Sequence, residues 1–196
     1  RISRDHPQIK LINTGIVDNP EQSRLVGSRL AREQVDLVLL YISTYALSST
    51  VLPLVQQVKA PVIVLSLQPT AGIDYAAFNA LGDRGVMTGE WLAYCQACSA
   101  PEIASVFNRG HIDYHLVAGT LEDPVAWQEI DGWLAAGQAA LSLAETRIGL
   151  LGHYYGGMLD VYSDKTGLSS VFGCHFEIVE IGEILHHRNL VSDVQL

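Results

Sequence analysis

Positive charge is scarce in this chain. Only 12 of its 196 residues are Lys or Arg, against 21 Asp or Glu, and the formal net charge is −9. That balance argues against nucleic acid and anionic membrane surfaces as partners, because both are held by clustered basic residues. Cysteine is also scarce. Three residues make an odd count and no secreted disulfide framework, so a reduced, cytoplasmic protein is expected. No uninterrupted apolar run approaches the roughly 18 residues of a membrane-spanning helix. The opening Arg1-Ile2-Ser3-Arg4-Asp5-His6-Pro7 has no apolar core behind its basic residues and does not read as a signal peptide. It also has no initiating Met, which points to processing or to a piece of something longer. There is no internal repeat and no low-complexity tract. Charged residues make up only 17% of the chain.

Apolar residues, by contrast, make up 48%, enough for a proper core and too many for disorder. Short apolar runs alternate with helical patterns, the signature of a parallel α/β sheet. Ile9–Val17 reads as a first strand, closed by Asp18-Asn19-Pro20. Asn19 is suited to cap a helix that carries Leu25, Val26 and Leu30. Val35–Ile42 and Pro61–Leu67 are near-continuous apolar runs, as expected of strands buried on both faces. Leu47–Val58 reads as a short helix kinked by Pro53 or opened by it. Helices are also expected over Met87–Tyr94 and Pro101–Asn108, and a strand over Ile112–Ala118. The clearest helix runs from Pro124 to about Thr146 on an apolar stripe that includes Val125, Trp127, Ile130 and Trp133. Arg147–Gly152 reads as a strand, Ser163–Phe172 as a helix and His175–Ile181 as a strand. The expected architecture is therefore a Rossmann-like parallel sheet flanked by helices over residues 1–146. Residues 147–196 would then open a second α/β domain that stops early.

In open parallel sheets, ligands gather at the carboxyl ends of strands. Four such ends carry hydroxyls, an amide or rings: Ser43-Thr44-Tyr45, Gln68-Pro69-Thr70, Gly119-Thr120-Leu121-Glu122 and His153-Tyr154-Tyr155-Gly156-Gly157. Such groups suit a polyhydroxylated ligand, whose C–H faces stack on rings while its hydroxyls take hydrogen bonds. Each end also reads as an ordinary capped loop. Cys95-Gln96-Ala97-Cys98 matches C-x-x-C, but it follows an expected helix where a redox pair would follow a strand. A zinc site would need two more ligands, and Cys174-His175 is the one other pair available. Packing or pocket lining is the expected role. Gly152-x-x-x-Gly156-Gly157 lacks both the spacing of a dinucleotide loop and the Lys-Ser/Thr of a P-loop. His186-His187 reads as a solvated helix face, and Asp160 and Asp164 as loop residues.

The run VDLVLLYISTYALSSTVLPLVQQVKAPVIVLSLQP resembles the L-arabinose isomerase family, within the fucose/arabinose isomerase superfamily. In that family an apolar strand ends in His-Thr-Phe, and a helix, a Lys-Pro and a strand ending in Gln follow. The matching residues are Ser43-Thr44-Tyr45, Ala60-Pro61 and Gln68. Farther on, RIGLLGHYYGGMLDVYSDKTGLSSVFGCHFEIVEIGEI is similar to the opening of the family's central domain. The resemblance spans most of the chain as a divergent version of the family.

The resemblance implies an aldose–ketose isomerase that uses a divalent metal, usually manganese, and assembles as a trimer or hexamer around a small sugar. The metal ligands of the family lie in later segments, so the metal is expected to be held by residues outside this chain. The chain is then an internal piece, contributing pocket walls and oligomer contacts, and inactive by itself. By resemblance, Tyr45 carries over the pocket aromatic after the family's Thr, and Tyr155 falls near the family's pocket Met. Anchoring on Glu102 places Cys95 and Cys98 near a substrate-touching Gln and His. Cysteine cannot copy the hydrogen bonding of histidine, so L-arabinose is not assumed as the sugar. The full expected substrate-binding set is Tyr45, Gln68, Cys95, Cys98, His153, Tyr154 and Tyr155, with Gly156 and Gly157 letting the backbone turn beside it. Two other readings stay open. One is a non-catalytic sugar-binding α/β module; the other is an oligomerisation domain in which the Tyr45 and Tyr155 side chains are buried. For the tyrosine loop itself, simple packing of Tyr154 and Tyr155 between the two domains also stays open.

Overall fold

Val62-Ile63-Val64-Leu65-Ser66-Leu67 is buried throughout, and the sheet is built around it. A computed structural model describes residues 1–191. The run belongs to β2 (Val62–Gln68), the middle strand of a parallel sheet ordered β1-β2-β3, with β1 at Val38–Tyr41 and β3 at Tyr114–Thr120. Val38 pairs with Val62, and Gln68 with Thr120. All three strands run the same way, so their carboxyl ends share one edge. The protein is thus α/β, with a three-stranded parallel sheet flanked by helices.

Alternation divides β2 between two faces. Val62 and Val64 belong to a core with Leu30 of α2 (Pro20–Arg32), Leu54 and Val55 of α3 (Ser48–Val55), and Ala100, Ile103 and Phe107 of α6 (Gln96–Arg109). Phe107 meets Tyr114 edge-on at 5.5 Å. Ile63, Leu65 and Leu67 alternate to the opposite face and are buried as well. Gly119 lies on that face, where a Cβ would come within 3.0 Å of the Ala126 Cβ on α7 (Pro124–Glu145). Only glycine lets the helix approach β3 so closely.

A one-turn α1 (Ile2–Asp5) opens the chain. The strand expected over Ile9–Val17 does not form; that stretch has no regular structure. The Asn13 side chain accepts from the Gly15 amide at 2.9 Å, and Gly15 has φ +73°. This local turn competes with ladder pairing and breaks the run in its middle. Ile12 still packs on the core, whereas Ile16 is 82% exposed. The expected helix after Asn19 is α2, and Asn19 Oδ1 accepts from the Gln22 amide at 2.9 Å.

Between β2 and α6 the chain forms two short helices, α4 (Tyr75–Ala80) and α5 (Arg84–Leu92), neither with a buried residue. α5 replaces the helix expected over Met87–Tyr94. α6 starts five residues before the expected Pro101, which sits inside it. Pro53 likewise lies inside α3.

The chain separates into two compact units, Arg1–Gly132 and Trp133–Leu196, and the division falls within α7. In the second unit, β4 (Arg147–Leu151) pairs in parallel with β5 (His175–Val179). α8 (Lys165–Phe172) lies between them in sequence and α9 (Ile181–Arg188) follows. No helix among the described residues is long and apolar enough to cross a membrane.

Candidate functional site

The carboxyl halves of β2 and β3 present Ser66, Gln68, Leu116, Ala118 and Thr120 to one face by alternation. Across from them stand Ala97 and Ala100, on the first two turns of α6. Together with Ala71 and Gly119 they enclose an open cleft of about 490 Å³, within the roughly 300–1,000 Å³ of small-molecule sites. Its polar groups are two hydroxyls and one amide, and no charged side chain lines it. Small side chains on α6 keep the helix from filling the space. Pro101 adds a further group. It has no N–H to give its i−4 partner, the Ala97 carbonyl, and so leaves that acceptor without its helical donor beside the cleft.

The loop after β1 is fixed at this edge by a polar row on α6. Gln96 Nε2 donates to the Ser43 carbonyl at 3.1 Å. Ser99 Oγ accepts from the Ala46 amide at 2.7 Å. The Glu102 carboxylate accepts from the Ser48 amide at 2.8 Å and the Ser48 hydroxyl at 2.5 Å. Residues three apart lie along one side of a helix, so the row runs parallel to the loop it holds. Gln96 and Ser99 are fully buried, and Gln96 Oε1 has no hydrogen-bond partner among the described residues. The end of α5 is bound to the same edge. Thr44 Oγ1 donates to the Leu92 carbonyl at 2.9 Å. Thr70 Oγ1 donates to the Gly72 carbonyl, so it receives the Tyr94 hydroxyl proton, also at 2.9 Å.

Of the expected site residues, Gln68 lines the cleft, and Tyr45, Cys95 and Cys98 do not. Tyr45 is half exposed in the braced loop. Cys95 caps the N-terminus of α6, a position that often activates a thiol. Here burial, with Cys98 nearby, pushes the Cys95 thiol up from its ordinary value, the opposite of activation. Cys98 is exposed, and all three cysteines are free.

The remaining expected residues lie in the second unit, in the loop after β4. Tyr155 is 74% exposed, and Gly157 turns the backbone at φ +89°. Tyr154 is engaged on several sides. Lys165 Nζ donates to its hydroxyl at 2.8 Å and stands 4.7 Å from the ring centroid. Ser163 Oγ is 2.6 Å from the same hydroxyl, and the Tyr162 ring lies 5.2 Å away. The bond from Lys165, then that from Ser163, holds the phenol below its ordinary pKa. The His186 and His187 rings meet edge-on at 5.5 Å on α9.

Sequence reasoning missed the α6 contribution. Ala97 and Ala100 bear no chemistry to mark them. The row Gln96, Ser99, Glu102 does leave a signal, three polar residues at a spacing of three on a helix whose apolar residues face the core. Among the described residues no three His, Cys, Asp or Glu side chains cluster to hold a metal ion. The cleft itself offers no carboxylate, imidazole or thiolate, the donors that divalent cations select. Its residues do not fit a metal. No protein-family model matches the chain, and no curated protein matches it.

Proposed function

We propose that the first unit is the sugar-holding wall of an aldose–ketose isomerase of the arabinose/fucose type, with its metal supplied by residues outside this chain. The observation that carries the reading is the uncharged cleft at the shared carboxyl edge of β2 and β3. A sugar is neutral, carries many hydroxyls and has C–H faces. Gln68, Thr120 and Ser66 supply donors and acceptors, and the alanines and Leu116 supply apolar contact. An anionic ligand would find no cation on these walls.

The test is binding of neutral aldoses and ketoses to the purified chain, read by saturation-transfer NMR. Binding is expected, and Gln68→Leu and Thr120→Val should each weaken it about tenfold, the worth of roughly one hydrogen bond. Binding unchanged by both variants would remove the cleft from the reading. The isomerase half is tested on the natural gene product with added manganese, as interconversion of an aldose and a ketose. Sugar binding without interconversion would reassign the chain to a non-catalytic sugar-binding module.

A further inference from the structure

The loop after β4 brings together three side chains that the cleft does not use. A phenol oxygen has one proton to give and two lone pairs. On Tyr154, Lys165 Nζ occupies one lone pair. If Ser163 donates, it fills the second, and the phenol proton has no partner left in the cluster. If Ser163 accepts, that proton is taken up and the Ser163 hydroxyl proton is the one left over. Either arrangement ends in one O–H available to a group outside. Lys165 also holds surplus donors. Its ammonium has three N–H groups, and its one hydrogen bond among the described residues goes to Tyr154. The cluster stands at the carboxyl end of a strand in a parallel pair, where ligands collect. The ammonium beside the phenol also favours its ionised form.

We propose that Tyr154, Lys165 and Ser163 form a proton-transfer site that enolises a small α-hydroxycarbonyl compound, with Tyr154 exchanging the proton and Lys165 facing the carbonyl oxygen. The proposal rests on the sugar-isomerase reading for its substrate class and takes no residue from the cleft. The Tyr154 phenolate takes the proton from the hydroxyl-bearing carbon next to the carbonyl. The C–H electron pair becomes a C=C bond, and the carbonyl π pair moves onto oxygen, against the Lys165 ammonium. The reverse path returns a proton from the phenol to carbon and restores the carbonyl. The phenol exchanges its proton with water between turnovers. Nothing is oxidised or reduced overall.

The experiment follows deuterium incorporation at the carbon-bound positions of dihydroxyacetone in heavy water by NMR, using the intact chain. The expected rate is about 100-fold above buffer, the scale of one positioned acid–base group. It should fall to background in Tyr154→Phe and Lys165→Met, and only partway in Ser163→Ala. Ultraviolet titration of the phenols reads the site without substrate. One phenol should ionise before the rest, vanish in Tyr154→Phe and move upward in Lys165→Met. A wild-type rate equal to buffer, or one untouched by Tyr154→Phe, overturns the proposal. An early phenol without exchange also overturns it and leaves the three residues as a brace across the loop. Loss of sugar binding in Gln68→Leu reports on the cleft alone, so the two readings fail separately.

Discussion

The two units contain the same motif, parallel strands paired in register, with opposite surroundings. In the first, β2 is buried from Val62 to Leu67, and Phe107 and Ile103, fully buried themselves, share a core with its Val62 and Val64. In the second, neither β4 nor β5 contains a fully buried residue. Leu151 and Ile178 are 55% and 56% exposed. An apolar run predicts a strand equally well in both. What differs is the material packed on it, and that material carries most of the free energy of a parallel sheet.

The strongest way to break this comparison is to cut into each unit. Phe107→Ala should destabilise the first unit by about 3–5 kcal/mol. Ile178→Ala, on a half-exposed side chain, should cost the second about 0.5 kcal/mol. Urea unfolding with residue-resolved hydrogen exchange separates the units, which need not unfold together. Equal losses would mean that the exposed pair is stabilised as firmly as the core.

A smaller effect is expected from the polar row. Ser99→Ala leaves the Ala46 amide without its acceptor and should cost about 1–3 kcal/mol. Faster exchange at Ala46, with the β2 amides unchanged, is the signature. Uniform acceleration would place Ser99 in the core of the unit rather than in a local brace.

Thiol reactivity sharpens the contrast further. Cys98 is exposed and should react first with iodoacetamide. Cys95 is buried with its thiol pushed up and should react last. Cys174 is also buried, but in the unit with little core, so local opening should place it between the two. Peptide mass spectrometry gives the order, and Cys174 reacting last would reverse the ranking of the units.

The smallest effect concerns pH. Tyr154 has a lowered pKa in the folded chain, chiefly through Lys165. Between that value and the ordinary phenol value the unfolded chain binds more protons, so stability rises with pH across this window. The contribution is complete above the ordinary phenol value and is lost as pH falls through the folded one. The stability difference between wild type and Tyr154→Phe should therefore grow across the window in favour of wild type. A flat difference would leave the Lys165 contact without thermodynamic weight.

β2 could be read from its sequence because a strand buried on both faces has little choice of residue. Ile9–Val17 looked alike but failed, because Asn13 and Gly15 satisfy the backbone locally. Gln68 and Thr120 could be found as strand ends that bear polar groups. The opposite wall of the cleft could not, since alanine gains its role there by being small. The Tyr154–Lys165 contact joins residues eleven apart across a loop that holds a single 3-10 turn, Leu159–Val161, and no periodicity points to such a pair.

The row on α6 can be considered through rigid-body mechanics. Three points that are not collinear fix a body, whereas two leave it free to rotate about the line between them. Ser43, Ala46 and Ser48 are the three points at which Gln96, Ser99 and Glu102 take hold. With all three in place, the loop takes its orientation from the helix. Releasing Ser48 would leave the loop held at Ser43 and Ala46 from α6 and at Thr44 by the Leu92 carbonyl. The Glu102 carboxylate, taking both the amide and the hydroxyl of Ser48, is the hold that ties the far end of the loop to the helix.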